Sequence, residues 1–582
     1  MKWNLGPVKV FLFVALVATL IPVIFTIREA GGWQGVLPKG TADSLYYYAR
    51  IHEVIDGHPL VGNPYVYEYR DTFAPAFFLP DVLSSVPMLV GVPFNIAVTM
   101  NVFIWSFIFL LLSFILFRLL RMPKGYSLLW SIFLYISAYS FMLRPVGMQL
   151  SYPVFLAFLI VFLRFLYEPF RRSRVIWLSL IAALTFYIYT YLSYIVILTF
   201  FFIFLWFLFT RRLKELKSLV MASIFTAILL IPFGVFTLMQ MKSSYYLETF
   251  NRIGLVFTHI PSIEAFFYGR WIILGLAALG LIWINFAKQE EGSTERKIFW
   301  LATGTSLLVG LFLNFFTGVE LTLAVHIGRF VVLWMVVIFG VGLYEWYVSR
   351  TSRDGRSKQV AYVIAAIFLV ILAVGIMRNT SRRLGFFDFN GHPGYSFTDT
   401  QSYASPLKWL EENVEEQSVV WANDSIAQYI PIMTQHYPLF SGGAVLHSIS
   451  TEEVENRYLL SRSLSTLTIE DLKRDFGIYS GAGPSKEQPR IENQRAWLCG
   501  VTRHFVGRSE CPSHVDPIAL RGTQYFSTLA ERFKMIKKNQ SALLQQFNVG
   551  YLIIDRTRDN LPSILPDEAL YDDGRFMIFK IN

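Results

Sequence analysis

The sequence predicts a polytopic α-helical membrane domain followed by a small extracytoplasmic α/β domain. Of its 582 residues, 54% are hydrophobic and only 16% are charged, whereas soluble chains carry about a quarter charged residues. The apolar residues fall into blocks near the length that crosses about 30 Å of hydrocarbon as a helix. Because lipid offers backbone groups no water, these blocks must be helices. Residues 379–582 lack such blocks.

The apolar blocks predict about eleven transmembrane helices within residues 1–378. The first would also suit a signal peptide, but no small-residue cleavage site follows it, so it is interpreted as an anchor. Only a turn around Ser193 is expected between the fifth and sixth. The predicted spans are Pro7–Ile27, Ile96–Leu119, Tyr126–Leu143, Tyr152–Tyr167, Val175–Leu192, Tyr194–Thr210, Ser218–Gln240, Trp271–Ala287, Ile298–Phe316, Phe330–Val348 and Val360–Met377.

Basic residues in the short loops predict the orientation, because cytoplasmic loops carry an excess of Lys and Arg. Alternate loops are basic, and the loops between them hold few basic residues, such as Arg144 and Arg329. This alternation predicts a cytoplasmic N-terminus and an external C-terminal domain, in a protein integral to the cell membrane. The net charge of +10 is then mostly a topology signal. No basic face interleaved with aromatic residues indicates nucleic-acid binding.

Two external segments are predicted. In the first loop, residues 28–95, Ser44–Asp56 is typical of a helix with Asp43 at its N-cap. Phe77–Val92 is apolar but short and interrupted by prolines, which favours a helix at the membrane interface.

The second external segment mixes helical and β-rich patterns, as a small α/β domain does. It carries no sequence motif that indicates chemistry of its own. Its predicted elements are helices over Ser405–Asn413, Glu452–Ser463 and Gln524–Phe547, strands over Val419–Ala422, Tyr551–Asp555 and Phe576–Ile581, and a flexible loop over Gly481–Pro489.

The chain has two cysteines, Cys499 and Cys511, both in the external domain. In an external compartment such a pair predicts one local disulfide. Two unpaired buried thiols, or a zinc site with His504 and His514, are the alternatives.

The most suggestive stretch for chemistry is GTADSLYYYARIHEVIDG, residues 40–57. In a helix that starts after Asp43, the side chains of Tyr46, Tyr47 and Arg50 share the face beside that carboxylate. Such a set can hold a polar substrate at the membrane surface. Alternatively, Asp43 only caps the helix and the tyrosines form an interfacial belt.

Three further loops supply candidate substrate contacts. Between the third and fourth spans, Arg144 would clamp a phosphate beside Gln149, or else snorkel to the interface. The loop TGVELTLAVHIGRF, residues 317–330, brings a carboxylate, an imidazole and a guanidinium together, and Arg329 entering the membrane needs an anion. An internal pair of Glu320 with Arg329 is the alternative there. His326 in this loop is a further candidate. The third loop, Met241–Arg270, is long enough to form a lid or acceptor groove and adds Tyr245 and Tyr246, which are otherwise ordinary surface residues.

This arrangement resembles the GT-C glycosyltransferases, which include the oligosaccharyltransferases. The resemblance lies in an N-terminal span, a long external loop with an acid-plus-aromatic helix, many further spans and an external α/β domain. In that superfamily the acid of the first external loop is catalytic or binds metal, and the matching residue here is Asp43. Tyr47, Arg50 and Pro75–Pro80 are similar to residues that follow the oligosaccharyltransferase acid, and Thr317–Glu320 (TGVE) fits their T-x-x-E motif.

Two departures separate the chain from the oligosaccharyltransferases. Their acidic pair in the second external loop is missing from RPVGMQLSYP, residues 144–153. Their WWDYG-like acceptor motif is also absent, since Val419–Ile430 keeps only a Trp and a displaced Asp424. The sequence therefore argues against sequon-directed protein glycosylation.

The resemblance implies transfer of a sugar from a polyprenyl-phosphate-linked donor to a glycan, lipid or protein acceptor, with inversion at the anomeric carbon. Asp43 would remove the acceptor proton. Arg329, Arg144 and His326 would bind the donor phosphate. No cofactor is required on this reading, although Asp43 and Glu320 would hold Mg²⁺ or Mn²⁺ if a divalent ion were used.

Two other classes of function remain open from the sequence. A transporter or flippase of lipid-linked sugars should have two halves with interrupted helices and charges near the midplane. A non-catalytic membrane assembly protein would use the external domain to bind partners. Sugar transfer by the purified protein separates these classes from an enzyme.

The topology predicts different labelling of two single added cysteines. A cysteine at Ser485 should react with a membrane-impermeant reagent in intact cells, whereas one at Ser357 should react only after lysis. Equal labelling at the two positions would contradict the predicted orientation.

Overall fold

The computed structural model describes residues 5–29, 32–37, 43–286, 293–351, 397–414, 417–506, 510–559 and 568–581. The part up to residue 351 is almost entirely helical. Its helices are α1 (Leu5–Glu29), α2 (Ser44–Ile55), α3 (Leu79–Leu89), α4 (Phe94–Leu119), α5 (Lys124–Met142), α6 (Gly147–Tyr167), α7 (Arg172–Ile188), α8 (Thr190–Phe209), α9 (Leu213–Leu229), α10 (Ile231–Met241), α11 (Tyr246–Ile253), α12 (Ile263–Phe286), α13 (Ser293–Leu311), α14 (Leu313–Thr317) and α15 (Leu323–Thr351).

Within the described residues, four helices are long and apolar enough to cross a membrane: α4, α6, α8 and α15. The pair α9 and α10, bent by 49°, makes a fifth if it is one broken span. The chain is thus a multi-pass membrane protein. Helices occupy ten of the eleven predicted spans, but the number eleven is not confirmed. The last predicted span, Val360–Met377, lies outside the described residues.

Three of the predicted spans have a break at a different place or an unpredicted break, and one of them is Ile298–Phe316, which is interrupted at Phe312. Ser193 lies inside α8, and the break between α7 and α8 falls at Tyr189, whose backbone is extended (φ −161°, ψ 111°). The predicted span Ser218–Gln240 is interrupted at Leu230. Pro232, in the first turn of α10, has no N–H to continue the helical ladder of α9, which accounts for the break at Leu230.

The membrane core is built around α6. In its most apolar window, 78% of the residues are buried, against 39% in α4 and α8, whose other faces point outward. Aromatic side chains fill the core, and Phe155 of α6 packs edge-to-face against Phe330 of α15. Because α6 packs against helices on several sides, these contacts fix the position of its N-terminal end.

The loop between α1 and α4, named the first external loop after its predicted location, is held by a buried ion pair. Arg50 of α2 donates from Nε and one terminal nitrogen to both carboxylate oxygens of Asp81 in α3, at 2.9 and 2.6 Å. The two side chains are 2% and 0% exposed. The predicted helix over Ser44–Asp56 is confirmed, and α3 lies within the predicted interfacial segment Phe77–Val92.

The C-terminal part of the chain, from residue 397 on, contains a five-stranded mixed sheet. It is named the external domain because the sequence predicts that location. Strands β1 (Val256–Phe257) and β2 (Val319–Glu320) pair in the membrane-domain loops. The sheet itself comprises β3 (Val419–Trp421), β4 (Tyr437–Pro438), β5 (Val549–Asp555), β6 (Tyr571–Asp572) and β7 (Phe576–Lys580) in the order β4-β3-β5-β7-β6. β3 is parallel to β4 and β5, whereas β7 is antiparallel to β5 and β6. All three predicted strands are therefore confirmed.

Helices cover the rest of the described external domain. They include the three predicted ones, although the last is divided in two at Asn539. The helices are Phe397–Gln401, Ala404–Asn413, Asp424–Ala427, Ile430–Met433, Thr451–Ser461, Ile469–Arg474, Phe476–Ser480, Gln488–Val506, Pro517–Arg521, Thr523–Lys538 and Gln540–Gln546.

The external domain docks on α11 through a buried arginine. The Arg252 guanidinium donates to the backbone carbonyls of Val445, His447 and Ile449 at 2.7–3.1 Å. It also donates to Thr451 Oγ1 at 2.9 Å. One guanidinium group thus satisfies four hydrogen-bond acceptors of a single segment, and it holds that segment against the membrane domain.

The predicted flexible loop Gly481–Pro489 is wrong, because this segment packs against the end of α11 and is helical from Gly483. A Cβ at Gly483 would overlap the carbonyl oxygen of Asn251, and one at Gly481 would press on that of Arg252. The glycines that suggested flexibility instead permit close backbone approach.

The predicted disulfide between Cys499 and Cys511 is present. It joins the helix Gln488–Val506 to the segment that follows it, and it excludes the alternatives of free thiols and of a zinc site using these sulfurs. The loop of about a dozen residues that it closes is worth near 3 kcal/mol in the chain-entropy model.

Glu53 gives the docked structure a predicted pH dependence. It is buried and accepts a hydrogen bond from the Tyr437 hydroxyl at 3.0 Å. Burial raises the pKa of Glu53 to about 8, with Asp56 and Asp71 adding to the rise, and the Tyr437 hydrogen bond and Arg70 opposing it.

Because the folded state holds this proton and the unfolded state releases it near pH 4.5, stability should fall as pH rises from about 4.5 to about 8. The slope should reach about 1.4 kcal/mol per pH unit. Thermal unfolding of the Glu53→Gln variant should lose this component of the pH dependence. Identical profiles for the variant and the natural protein would contradict the assignment.

Candidate active site

A polar cleft of about 680 Å³ separates the start of α2 from the external domain. Asp43 and Tyr46 line one side, and Tyr65 from the first external loop lies near them. The opposite side consists of external-domain residues, namely Asn423, Asp424, Ser425, Gln428, Ser441, Gly442, Gly443, Leu446, Arg462, Arg474, Asp475, Gly477, Ile478, Arg558 and Asp559.

Asp43 meets two other predicted site residues at the cleft. Its carboxylate pairs with Arg144, and the same guanidinium nitrogen donates to Tyr47 Oη at 3.2 Å. Asp43 makes no side-chain cap hydrogen bond to α2, so the purely capping role does not apply. The buried Nε of Arg144 has no hydrogen-bond partner among the described residues. This nitrogen is a free donor for an anion.

The geometry of α6 accounts for this meeting. Arg144 precedes the N-terminus of α6, and Gly147 backs directly onto the pair. A Cβ on Gly147 would lie 3.5 Å from both Arg144 Nε and Tyr47 Oη. The central helix of the membrane core thereby positions Arg144 against α2.

A second cluster adjoins the first around Tyr189. The Tyr189 hydroxyl hydrogen-bonds His326 Nδ1, and the Tyr191 ring stacks on that imidazole with centroids 4.1 Å apart. Tyr189 also interacts electrostatically with the guanidinium groups of Arg329 and Arg144. The two predicted phosphate-binding arginines therefore approach one phenol from different parts of the chain, Arg144 from the connection between α5 and α6 and Arg329 from α15.

Sequence reasoning missed Tyr189. Its signal was present in the run FYIYTYLSY, where a short interruption between two apolar blocks carries four tyrosines. The interruption was assigned four residues too late, at Ser193, so the tyrosine at the helix break was counted as part of the fifth span.

Several predicted site residues lie elsewhere. Arg50 is occupied by Asp81 and by Tyr46 Oη at 3.0 Å, so its donors serve the loop rather than the cleft. Gln149 Nε2 donates to the Met142 carbonyl at the end of α5. The Tyr245 ring packs edge-to-face on Tyr69, and Tyr246 contacts Phe250.

Glu320 does not pair with Arg329, the alternative considered from sequence. Its carboxylate accepts from the Leu323 N–H at 3.1 Å and lies 3.7 Å from Arg490 of the external domain. Burial raises the pKa of Glu320 to about 7, and Arg490 opposes that rise. Glu320 thus belongs to the contact between the two domains.

The external-domain side of the cleft carries charges that the sequence did not single out. Burial raises the pKa of Asp424 and of Asp559. Asp475 accepts from Tyr458 Oη at 2.9 Å and from Arg462 at 2.7 Å. A side pocket of about 110 Å³ continues behind Asp424. No local sequence motif predicts this side of the cleft, because its residues come from β3, from β5 and from a helix distant in the chain.

The carboxylates do not form the shared metal site considered from sequence. Asp43 is engaged by Arg144, and Glu320 by Arg490. No group of three or more His, Cys, Asp or Glu side chains in the described ranges is arranged to hold an ion. The residues present therefore do not fit an ion bridging Asp43 and Glu320.

The chain matches no protein-family model, and no curated protein matches it in sequence. Among solved structures it is similar to the oligosaccharyltransferase of Archaeoglobus fulgidus, a member of the family that the sequence resembles. The apo form aligns at a TM-score of 0.42, and the form tethered to an acceptor peptide with an NVT sequon at 0.40. In both cases identity is 13%, and the alignment covers 94% of this chain and 69% of the other. At this level the likeness carries no conclusion about activity, which has to be argued from the site.

Proposed function

We propose that this protein is a membrane glycosyltransferase that moves a sugar from a polyprenyl-phosphate-linked donor to an acceptor on the extracytoplasmic face. The observation that carries the proposal is the meeting of Asp43, Tyr47 and Arg144 at the edge of a large polar cleft. A carboxylate beside a guanidinium with a free donor suits a reaction in which a proton is removed while a phosphate departs.

Asp43 is the proposed general base. An acceptor hydroxyl attacks the anomeric carbon and forms the new C–O bond while its proton passes to the Asp43 carboxylate. The bond between the anomeric carbon and the donor oxygen breaks, and the polyprenyl phosphate leaves with the electron pair. One such displacement inverts the anomeric centre.

Arg144 links donor binding to the base. In the described structure its guanidinium neutralises Asp43. A donor phosphate arriving at the free Nε would compete with Asp43 for the same cation. The carboxylate would then be released to accept a proton only when donor is present.

Arg329 and His326 are the proposed remaining donor contacts, reached through Tyr189. The acceptor, a glycan, lipid or protein, would enter against the external-domain wall, where Asp424 and Arg462 offer hydrogen-bonding groups to sugar hydroxyls. Tyr46 and Tyr47 would provide the aromatic surface beside Asp43.

A transporter of lipid-linked sugars is the second candidate, and the bent pair α9 and α10 is the observation that favours it. Broken helices in transporters point at the substrate near the midplane. The charged clusters here gather instead at the cleft, at one end of α6.

Replacing Asp43 by asparagine should abolish turnover while preserving the fold. The amide keeps an oxygen for Arg144, but it cannot take a proton, so turnover should fall by at least about 10²-fold. The assay is sugar transfer from a lipid-linked donor by detergent-purified protein. Asp56→Asn, at the other end of α2, is the matched control and should retain activity. Native-rate transfer by Asp43→Asn would leave the carboxylate a structural role only.

Arg329→Ala and Arg144→Ala should each weaken donor binding, by the roughly 2–5 kcal/mol typical of an unpaired buried charge partner. Donor affinity is measured on folded variants by titration with the lipid-linked sugar. Arg270→Ala, an exposed arginine stacked on Phe267, is the control. If both site variants bind donor as tightly as the control does, the phosphate assignment is wrong.

A further inference from the structure

A second basic site lies near the opposite end of α6 from Arg144. A groove of about 260 Å³ opens between α4, α6 and α7. Its lining is apolar except for two arginines and comprises Leu112, Ala157, Ile160, Val161, Arg164, Arg174, Trp177 and Ile181. Arg164 follows Gly147 by 17 residues in the same helix. The rise of 1.5 Å per residue places it about 25 Å further along, at the other membrane face.

Arg164 makes no ion pair or hydrogen bond with any residue that the structure describes. Arg174 repels it electrostatically, and Glu168 attracts it. Glu168 is already shared, because it pairs with Arg174 at 2.7 Å and with Arg171 at 3.3 Å. One carboxylate therefore faces three guanidinium groups, and Arg164 is the one of the three that makes no ion pair with it.

The groove beside Arg164 has the character of a lipid contact. Ile160, Val161 and Ile181 offer an apolar wall for an acyl chain. Trp177 is 55% exposed at the rim, as tryptophans at the level of lipid headgroups are. An arginine whose only role is to extend its guanidinium to water at the interface would not require an apolar groove beside it.

We propose that this groove binds one anionic phospholipid, with its headgroup phosphate on Arg164 and Arg174 and an acyl chain against α4 and α7. A phosphate between the two guanidinium groups would turn their repulsion into attraction to a shared anion. Basic pockets between transmembrane helices bind lipid headgroups by this chemistry. The site is separate from the cleft, and it does not depend on the proposed transfer reaction.

The experiment is lipid titration of the full-length, detergent-purified protein, followed by native mass spectrometry. Phosphatidylglycerol should be retained more strongly than phosphatidylcholine. Arg164→Gln should weaken phosphatidylglycerol binding by about fivefold, the effect of losing one basic contact at a membrane surface. Arg212→Gln is the control, since Arg212 lies outside the groove, at the start of α9, and pairs with Glu215.

A second variant and a soluble ligand complete the test. Ala157→Leu narrows the groove without changing charge and should also weaken phosphatidylglycerol binding, which keeps the test valid if Arg164→Gln does not fold. Glycerol phosphate alone should not compete with the lipid. The proposal is overturned if both lipids bind equally, if both groove variants bind like the control, or if glycerol phosphate displaces the lipid.

Discussion

The buried pair of Arg50 and Asp81 is the constraint on which the candidate site depends. Removing one partner of such a pair typically costs about 3–5 kcal/mol, because the other charge is left buried alone. The pair locks α2 onto α3, and it adds to the packing of the buried apolar face of α2. Since Asp43 and Tyr47 are at the start of α2, the same pair decides where they meet Arg144.

A second clamp sets the other side of the cleft. Arg252 closes four acceptors in the segment between Val445 and Thr451, immediately after the glycines that line the cleft. The Tyr65 ring lies so close to Gly443 that a Cβ there would overlap it. The cleft is thus formed between two parts that are each fixed to α-helices of the membrane domain, and the external domain acts as a wall of the site.

The helices of the membrane domain were predictable because twenty-residue apolar blocks permit no other structure in lipid. The disulfide and the three strands followed from equally local signals. The role of Arg50 did not, because the helical face that it shares with Tyr46 says nothing about Asp81, thirty-one residues away. The segment around Gly483 was misjudged for the same reason. A glycine in a sequence is compatible with a flexible loop and with close backbone packing. The contact of Gly483 with the carbonyl of Asn251, which shows that packing is the reason here, is visible only in the structure.

Of the candidate site, the sequence predicted the members but not their grouping. Asp43, Tyr47 and Arg144 came from two loops about a hundred residues apart, and nothing in either loop states that they touch. Glu320 and Arg329 are only nine residues apart, yet they have different partners, because Glu320 ends the short strand β2 and Arg329 lies in α15. The acidic wall of the external domain has no local sequence motif. Its residues are more than a hundred positions apart in the chain, and the pairing of the strands brings them together.

The position of α6 couples the thickness of the bilayer to the geometry of the cleft. Arg144 precedes its N-terminus, and the helix is only 21 residues long, close to the thickness of an average bilayer. A thinner or thicker membrane changes helix tilt at a modest energetic cost. Tilting α6 would move Arg144 relative to α2, which is held separately by α3. Acyl-chain length would then alter the transfer rate at constant headgroup charge, and assays in short- and long-chain phosphatidylcholine would reveal or exclude this effect.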